Sequence, residues 1–237
     1  MNLSMQDAFN PIDAALKYLL LTGPLVLISI LISIFFLDKP IAIQAYLFST
    51  QVLNYHPSPT NPLSGHLFNL LTELSYLLIT LFFPIYFFLK ISQENNQKNN
   101  YKNLKLLKFL DSLGFMSLSM ALAFFIKSTL QEFFGRIGPR YADSSALLFL
   151  RNKNLYGFHF LQHAGSFPSG HMCVYGAGLM ALSLSYPQFK FVFLSLGIVL
   201  GLILILLNYH FLSDVIAGSY LGLSLSFALS MSRLKNP

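Results

Sequence analysis

Two short segments of this sequence combine histidine with groups that can attack or bind a phosphoryl group. They are Ser166-Phe167-Pro168-Ser169-Gly170-His171 and His210-Phe211-Leu212-Ser213-Asp214. His210 and Asp214 are four residues apart, so on a helix the carboxylate can hold the proton of one imidazole nitrogen and leave the other as a nucleophile. Attack on phosphorus would give a phosphohistidine, and His171 could protonate the leaving oxygen.

The turn before His171 also suits an anion. Pro168-Ser169-Gly170 in front of a helix leaves backbone N–H groups unpaired at the helix N-terminus, and the Ser169 hydroxyl adds another donor. Negative charge on phosphoryl oxygens needs cationic donors, and Arg136 and Arg140 are the nearest in the sequence. The alternative role for both arginines is contact with lipid headgroups.

Each motif also has a simpler interpretation. Pro-Ser-Gly is common in turns, and a His-x-x-x-Asp pair at a helix start can be an ion pair that stabilises the helix end. His159, His163 and His171 lack the regular spacing and the acidic partner of a metal site, so we expect no metal. Glu73 and Asp111 lie within or near apolar segments, where ion or proton passage is an alternative function.

The composition requires a lipid environment for most of the chain. Hydrophobic residues make up 54% of the 237 positions and charged residues 10%, which is more apolar surface than a soluble domain of this size buries. We predict an all-α fold: one integral membrane domain of six transmembrane helices over residues 1–237, with the active-site half at about 127–222. The six predicted spans are 19–37, 70–89, 106–126, 172–186, 189–207 and 212–231, the fourth being the shortest.

The basic residues between the spans indicate an orientation, because Lys and Arg in short loops stay on the cytoplasmic side. Loop 90–108 carries five lysines, so we predict that this loop and both chain termini are cytoplasmic. His171 and His210 then share the outer face with the basic segment 127–171. The expected location is a bacterial inner (plasma) membrane.

The two histidine segments resemble signature motifs of a known family. Phe-Pro-Ser-Gly-His at 167–171 and His-Phe-Leu-Ser-Asp-Val-Ile-Ala-Gly at 210–218 are similar to the second and third motifs of the type-two phosphatidic acid phosphatase superfamily. The resemblance covers about 127–222. It implies a six-helix lipid phosphatase or phosphotransferase that needs no metal or other cofactor and has its site on the outer face.

The resemblance also implies a role for each motif residue. His210 would be the nucleophile, Asp214 its orienting partner and His171 the general acid. Ser169 and Gly170 would bind the phosphate of the substrate.

The chain departs from the family at three positions that usually carry phosphate-binding cations. The first motif of the family, Lys-x6-Arg-Pro, has Gln131 in the place of its lysine and Gly138 in the place of its arginine. The third motif has Leu204 where the family has an arginine, six residues before the histidine. We expect Lys127, Arg136 and Arg140 to replace these missing cations. Lys127 is one helical turn before Gln131, about 6 Å along the helix axis.

The leading hypothesis is a membrane-embedded, metal-independent phosphatase acting on lipid phosphates or pyrophosphates such as phosphatidylglycerophosphate, undecaprenyl pyrophosphate or lipid A. Its partners would be that lipid and the bilayer, since the net charge of +6 fits an anionic membrane surface and nothing indicates nucleic acid. One alternative transfers the phosphoryl group to another lipid. The other is a non-catalytic lipid-binding or transport protein on the same bundle.

Overall fold

The fold is an all-helical membrane bundle, as predicted. The structure, a computed structural model, describes residues 11–53, 62–95, 104–139, 157–161 and 165–235. A π-helical turn, Ser33–Leu37, joins the first two helices, and a 3₁₀ turn, Pro187–Phe189, precedes the sixth. The seven α-helices of the described residues are α1 Pro11–Ile32, α2 Asp38–Gln51, α3 Pro62–Asn95, α4 Leu104–Phe134, α5 Gly170–Ser185, α6 Lys190–Leu206 and α7 Leu212–Lys235.

Five helical segments of the described chain are long and apolar enough to cross a membrane. They coincide with five of the six predicted spans. The sixth predicted span, 172–186, is α5, whose 16 residues extend about 24 Å, less than a typical hydrocarbon core. The five segments are Leu16–Gln51, His66–Phe88, Lys105–Phe134, Pro187–Leu206 and Leu212–Arg233.

The short helix α5 lies inside the bundle, between α4 and α7. Its buried face is built from small residues, including Gly176, Ala177 and Ala181, which allow neighbouring backbones to approach closely. On α7, a Cβ at Gly218 would overlap the backbone of Ser169, directly before α5, and a Cβ at Gly222 would overlap the backbone of α5 itself. This close approach sets the first turns of α5 and α7 beside each other.

The first membrane segment continues further than the sequence predicts. The predicted span ends at residue 37, whereas the helix passes through the π-helical turn and runs on as α2 to Gln51. The buried side of α2 packs Ala42 against Phe211, with Ile137 beside them. Asp38, at the start of α2, is buried and is hydrogen-bonded to Arg136 and Ser213. It therefore lies at the end of the bundle where α4 ends and α5 and α7 begin.

Candidate active site

A cavity of about 170 Å³ lies at this end of the bundle, between α3, α4 and α5. The structure brings five of the predicted site residues into its lining although they are spread over more than 80 positions of the sequence. Other lining residues come from α3, notably Thr72, and from α5. The predicted residues that line the cavity are Lys127, Gln131, Gly170, His171 and His210.

His210 is held through its Nδ1 atom. Nδ1 lies 3.2 Å from Ser166 Oγ and 3.5 Å from Asp214 Oδ2. Ser166 Oγ donates its hydrogen to Asp214 Oδ2 at 2.6 Å, so it can only accept from His210, and Nδ1 must carry a hydrogen. Nε2 then keeps its lone pair. Because the ring lines the cavity, this is the nitrogen that can attack an incoming phosphoryl group.

Ser166 is a site residue whose role sequence reasoning missed. Its backbone N–H donates to the carbonyl of Arg136 at 2.9 Å, which fixes the loop that carries it. Its place in the first histidine segment was visible in the sequence. Its partners were not, because His210 and Asp214 are 44 and 48 residues further along the chain.

Asp214 is fully buried and held on both carboxylate oxygens. Oδ1 accepts from Arg136 Nη1 at 2.7 Å, and Oδ2 accepts from Ser166 and from the backbone N–H of Phe211 at 3.2 Å. The contact with Phe211 is the returning half of a helix-capping arrangement at the start of α7. The carboxylate is thus fixed next to His210.

Arg136 has a position that differs from the expected one. Its side chain is fully buried, and the structure does not place it in the cavity lining. Nη1 donates to Ser213 Oγ and Asp214 Oδ1, and Nη2 donates to Asp38 Oδ2 at 2.7 Å. A buried guanidinium requires such carboxylate partners, so its charge is committed to Asp38 and Asp214 and does not face the cavity. Arg140 lies outside the described residues.

Lys127 supplies a positive charge to the cavity lining. Its Nζ atom donates to Gln131 Oε1 at 3.2 Å, and Gln131 Nε2 donates to the carbonyl of Pro168 at 2.9 Å. A Cβ at Gly170 would lie 3.4 Å from Lys127 Nζ, so the ammonium group lies beside the N-terminus of α5. Gln131, which takes the place of the family's lysine, therefore anchors the turn before α5. Lys127, one turn earlier on α4, lines the cavity with its side chain.

Gly138 and Leu204, which stand where the family has arginines, add no charge to the cavity. A Cβ at Gly138 would lie 3.0 Å from Ser166 Oγ, so a longer side chain there would displace the hydroxyl that holds His210. Leu204 is fully buried and packs with Phe68 and Met172. Among the lysines and arginines that the structure describes, Lys127 is the one in the cavity lining.

His171 faces His210 across the cavity. The two ring centroids are 6.3 Å apart, so one phosphoryl group can contact both rings. His171 Nε2 lies 3.2 Å from the carbonyl of Phe68 and 3.3 Å from Thr72 Oγ1. A carbonyl oxygen only accepts, so Nε2 carries a hydrogen and α3 sets the orientation of the ring.

Ser169 serves as the N-cap of α5. Its Oγ accepts from the backbone N–H of Met172 at 3.4 Å, and its own N–H donates to the carbonyl of Asp214 at 2.9 Å. The side chain is fully buried, and the cavity lining does not include it. The hydroxyl expected to bind phosphate is thus engaged in positioning the start of α5 against α7. Within the described ranges, no group of three or more His, Cys, Asp or Glu side chains is arranged to hold a metal ion.

Comparison with known proteins gives matches in sequence and in structure. Two proteins named lipid A 1-phosphatase, from Rhizobium etli and Rhizobium johnstonii, are each 40% identical to this chain over 57 residues. That segment is 24% of this chain, and the chain spans about a quarter of the length of these relatives, 25% and 23%. The crystal structure of a transmembrane PAP2 type phosphatidylglycerolphosphate phosphatase from Bacillus subtilis aligns over 97% of this chain and 98% of its own, with a TM-score of 0.49 and 20% identity.

The family match is the broadest sequence match. The sequence model of the PAP2 superfamily matches residues 112–236, which is more than half of the chain. The matched region contains Lys127, Arg136, His171, His210 and Asp214. This chain therefore belongs to the PAP2 superfamily.

Proposed function

We propose that this protein is a membrane phosphatase that hydrolyses lipid phosphates or pyrophosphates through a phosphohistidine on His210. The observation that carries the proposal is one cavity lined by His210, His171 and Lys127. Behind the His210 ring, Ser166 and Asp214 fix its tautomer. Membership of the PAP2 superfamily and the names of the two Rhizobium relatives support a lipid phosphate as the substrate.

The first half of the reaction forms the covalent intermediate. His210 Nε2 donates its lone pair to phosphorus, and the bond from phosphorus to the lipid oxygen breaks with its electron pair on that oxygen. His171, which starts with a proton on both ring nitrogens, gives one proton to this leaving oxygen and becomes neutral, so the lipid departs as an alcohol or, from a pyrophosphate, as a monophosphate. The imidazole becomes cationic, and Asp214 stabilises this charge through Ser166. Lys127 neutralises charge on the phosphoryl oxygens.

The second half of the reaction releases phosphate. His171, now without its proton, removes a proton from water, and the water oxygen attacks phosphorus. The bond from phosphorus to Nε2 of His210 breaks, and its electron pair returns to the ring. Inorganic phosphate leaves and both histidines regain their starting forms.

The orientation of the site belongs to the same proposal. The cavity lies at the end of α4 opposite to loop 90–108, whose lysines favour the cytoplasm. We therefore place the site on the outer face of a bacterial inner membrane, with both termini in the cytoplasm. Lipid phosphates of the outer leaflet would then reach the cavity from the bilayer.

A phosphate-release assay tests this function. Purified protein in detergent with a chelator is given phosphatidylglycerophosphate, undecaprenyl pyrophosphate, lipid A and phosphatidate, and both inorganic phosphate and lipid products are measured. We expect release from at least one lipid, and its loss in His210→Ala but not in His66→Ala, which changes an exposed histidine of α3. A phosphorylated lipid acceptor without free phosphate would identify a phosphotransferase, and activity retained in His210→Ala would exclude the phosphohistidine.

A further inference from the structure

A second buried carboxylate, Asp38, lies at the catalytic end of the bundle outside the histidine motifs. Both of its oxygens are used. Oδ1 accepts from the backbone N–H of Ser213 at 2.9 Å, and Oδ2 accepts from Ser213 Oγ at 2.5 Å and from Arg136 Nη2 at 2.7 Å. Asp38 thus connects the first membrane segment to the residues that hold the catalytic pair.

The Arg136 guanidinium connects the carboxylate of Asp38 to that of Asp214. Arg136 presents Nη2 to Asp38 and Nη1 to Asp214, each at 2.7 Å, and every side chain of this set is fully buried. Such two-pronged charge-assisted contacts fix the plane of a guanidinium as well as its position. Without Asp38, the guanidinium loses this carboxylate contact, and Arg136 is held less firmly in its orientation toward Asp214.

Asp38 also acts on the helix that carries Asp214. Ser213 belongs to the first turn of α7, where backbone N–H groups are unpaired and the helix dipole favours a negative charge. The Asp38 carboxylate accepts one of these N–H groups from outside the helix. His210 immediately precedes this turn, so a shift of the turn moves His210 and Asp214 together.

The helix geometry directly before Asp38 determines the direction in which its side chain points. The π-helical turn Ser33–Leu37 ends directly at Asp38. One additional residue in a helix rotates the downstream side chains by roughly 100° about the axis. Turns of this kind are rare and are found at functional sites. Here the turn directs Asp38 into the bundle. Without this rotation, the charged side chain would point toward the lipid.

We propose that Asp38 is a positioning residue, which acts through Arg136 and Ser213 to hold Asp214, and thereby His210, in the geometry for attack. The proposal rests on His210 being the nucleophile. It assigns the first membrane segment a part in catalysis although the structure does not place Asp38 in the cavity lining.

The test measures hydrolysis of p-nitrophenyl phosphate by purified full-length protein, which requires no knowledge of the natural lipid. Asp38→Asn keeps the size and shape of the side chain but removes its negative charge. We expect kcat to fall about 10²-fold, as for a small misplacement of a reacting group, with KM within roughly threefold of the wild-type value because binding groups are unchanged. Asp111→Asn is the matched control, since it breaks an ion pair with Arg233 at the opposite end of the bundle; it should leave kcat unchanged.

A double-variant cycle separates positioning from a general loss of folded protein. Ser166→Ala removes a different partner of Asp214. If both residues act on Asp214, Asp38→Asn combined with Ser166→Ala should lose at least roughly fivefold less than the product of the single losses. Asp111→Asn combined with Ser166→Ala should give the simple product.

The outcomes decide the proposal. A folded Asp38→Asn protein with kcat within roughly threefold of wild type, or strictly multiplicative losses with Ser166→Ala, would overturn it. If Asp38→Asn does not fold, Asp38→Glu replaces it, because that change keeps the charge but moves the carboxylate by one methylene group relative to Arg136 and Ser213. Wild-type kcat in folded Asp38→Glu would overturn the proposal as well. Loss of the whole proposed function looks different, since His210→Ala would then remain active.

Discussion

At the scale of single residues, the hydroxyl of Ser166 determines which nitrogen of His210 can act. The direct distance from His210 Nδ1 to Asp214 Oδ2 is 3.5 Å, which is long for a hydrogen bond. Ser166 closes this gap with contacts of 3.2 and 2.6 Å. The Asp214 carboxylate is therefore connected to the histidine mainly through a serine.

Replacing this serine tests the relay. Ser166→Ala should lower kcat for lipid or aryl phosphate by about tenfold or more, equivalent to at least about 1.4 kcal/mol, because His210 loses the partner that holds its tautomer. Steady-state kinetics of the purified variant measure the change. Ser128→Ala, which removes a half-buried hydroxyl of α4 bonded to a helix carbonyl, is the control. A normal kcat in Ser166→Ala would show that Asp214 needs no bridge.

Lys127 offers a second residue-scale prediction. Lys127→Ala should reduce kcat about 10²- to 10³-fold, because it removes a cation directed at the phosphoryl oxygens. Exchange of two neighbours, Lys127→Gln together with Gln131→Lys, should restore part of the rate by returning the lysine to the family's position one turn away. Lys105→Ala, an exposed lysine at the other end of α4, should have the wild-type rate. A Lys127→Ala protein with unchanged kcat would contradict the assignment.

At the scale of elements, the contact of α5 with α7 sets the geometry of the site. The N-cap Ser169 donates to the backbone carbonyl of Asp214, and Gly218 and Gly222 let the N-terminal halves of the two helices touch. His171 and His210 lie at adjacent ends of these elements. The spacing of the two helices therefore sets the distance between the two histidines.

A methyl group at this contact should separate the helices. Gly222→Ala places a Cβ against the backbone of Cys173 and Ala177, and we expect it to lower the free energy of unfolding by about 1 to 3 kcal/mol. Thermal unfolding in detergent measures the effect. Gly197→Ala is the matched control, because its nearest neighbour, Leu179 Cδ1, is at an ordinary 3.6 Å. Equal stability of the two variants would contradict the close approach.

At the scale of the whole molecule, hydropathy and charge together predict the orientation in the bilayer. In a Cys173→Ala background, a cysteine at Asn99 should be shielded from a membrane-impermeant thiol reagent in intact cells, and one at Ser145 should be labelled. Both positions lie outside the described residues. Labelling at Asn99 with protection at Ser145 would reverse the orientation and place the site in the cytoplasm.

The membrane setting, the all-helical class and the two histidine segments could all be predicted from the sequence. These are local properties, since about 20 consecutive apolar residues or a histidine four residues before an aspartate can be recognised without knowing the fold. The expected shared helix of His210 and Asp214 is not observed, because α7 begins only at Leu212. The length of the first helix was underestimated, because Asp38 and Lys39 end the apolar run while tertiary contacts of Ala42 and Asp38 continue the helix. The shortest predicted span, 172–186, corresponds to α5, which has only 16 residues and is not among the five segments long enough to cross a membrane.

The pairing of the charges, by contrast, depends on tertiary structure. Arg136 lies within the stretch that matches the first motif, yet its partner Asp38 is 98 residues away, and no local pattern connects them. Lys127 and Gln131 are one turn apart on the same helix, so the sequence predicts both near the site. Only the fold shows that Gln131 anchors the turn before α5 and that Lys127 lines the cavity. A buried ion must find a partner wherever the fold offers one, and that partner is set by packing between distant segments.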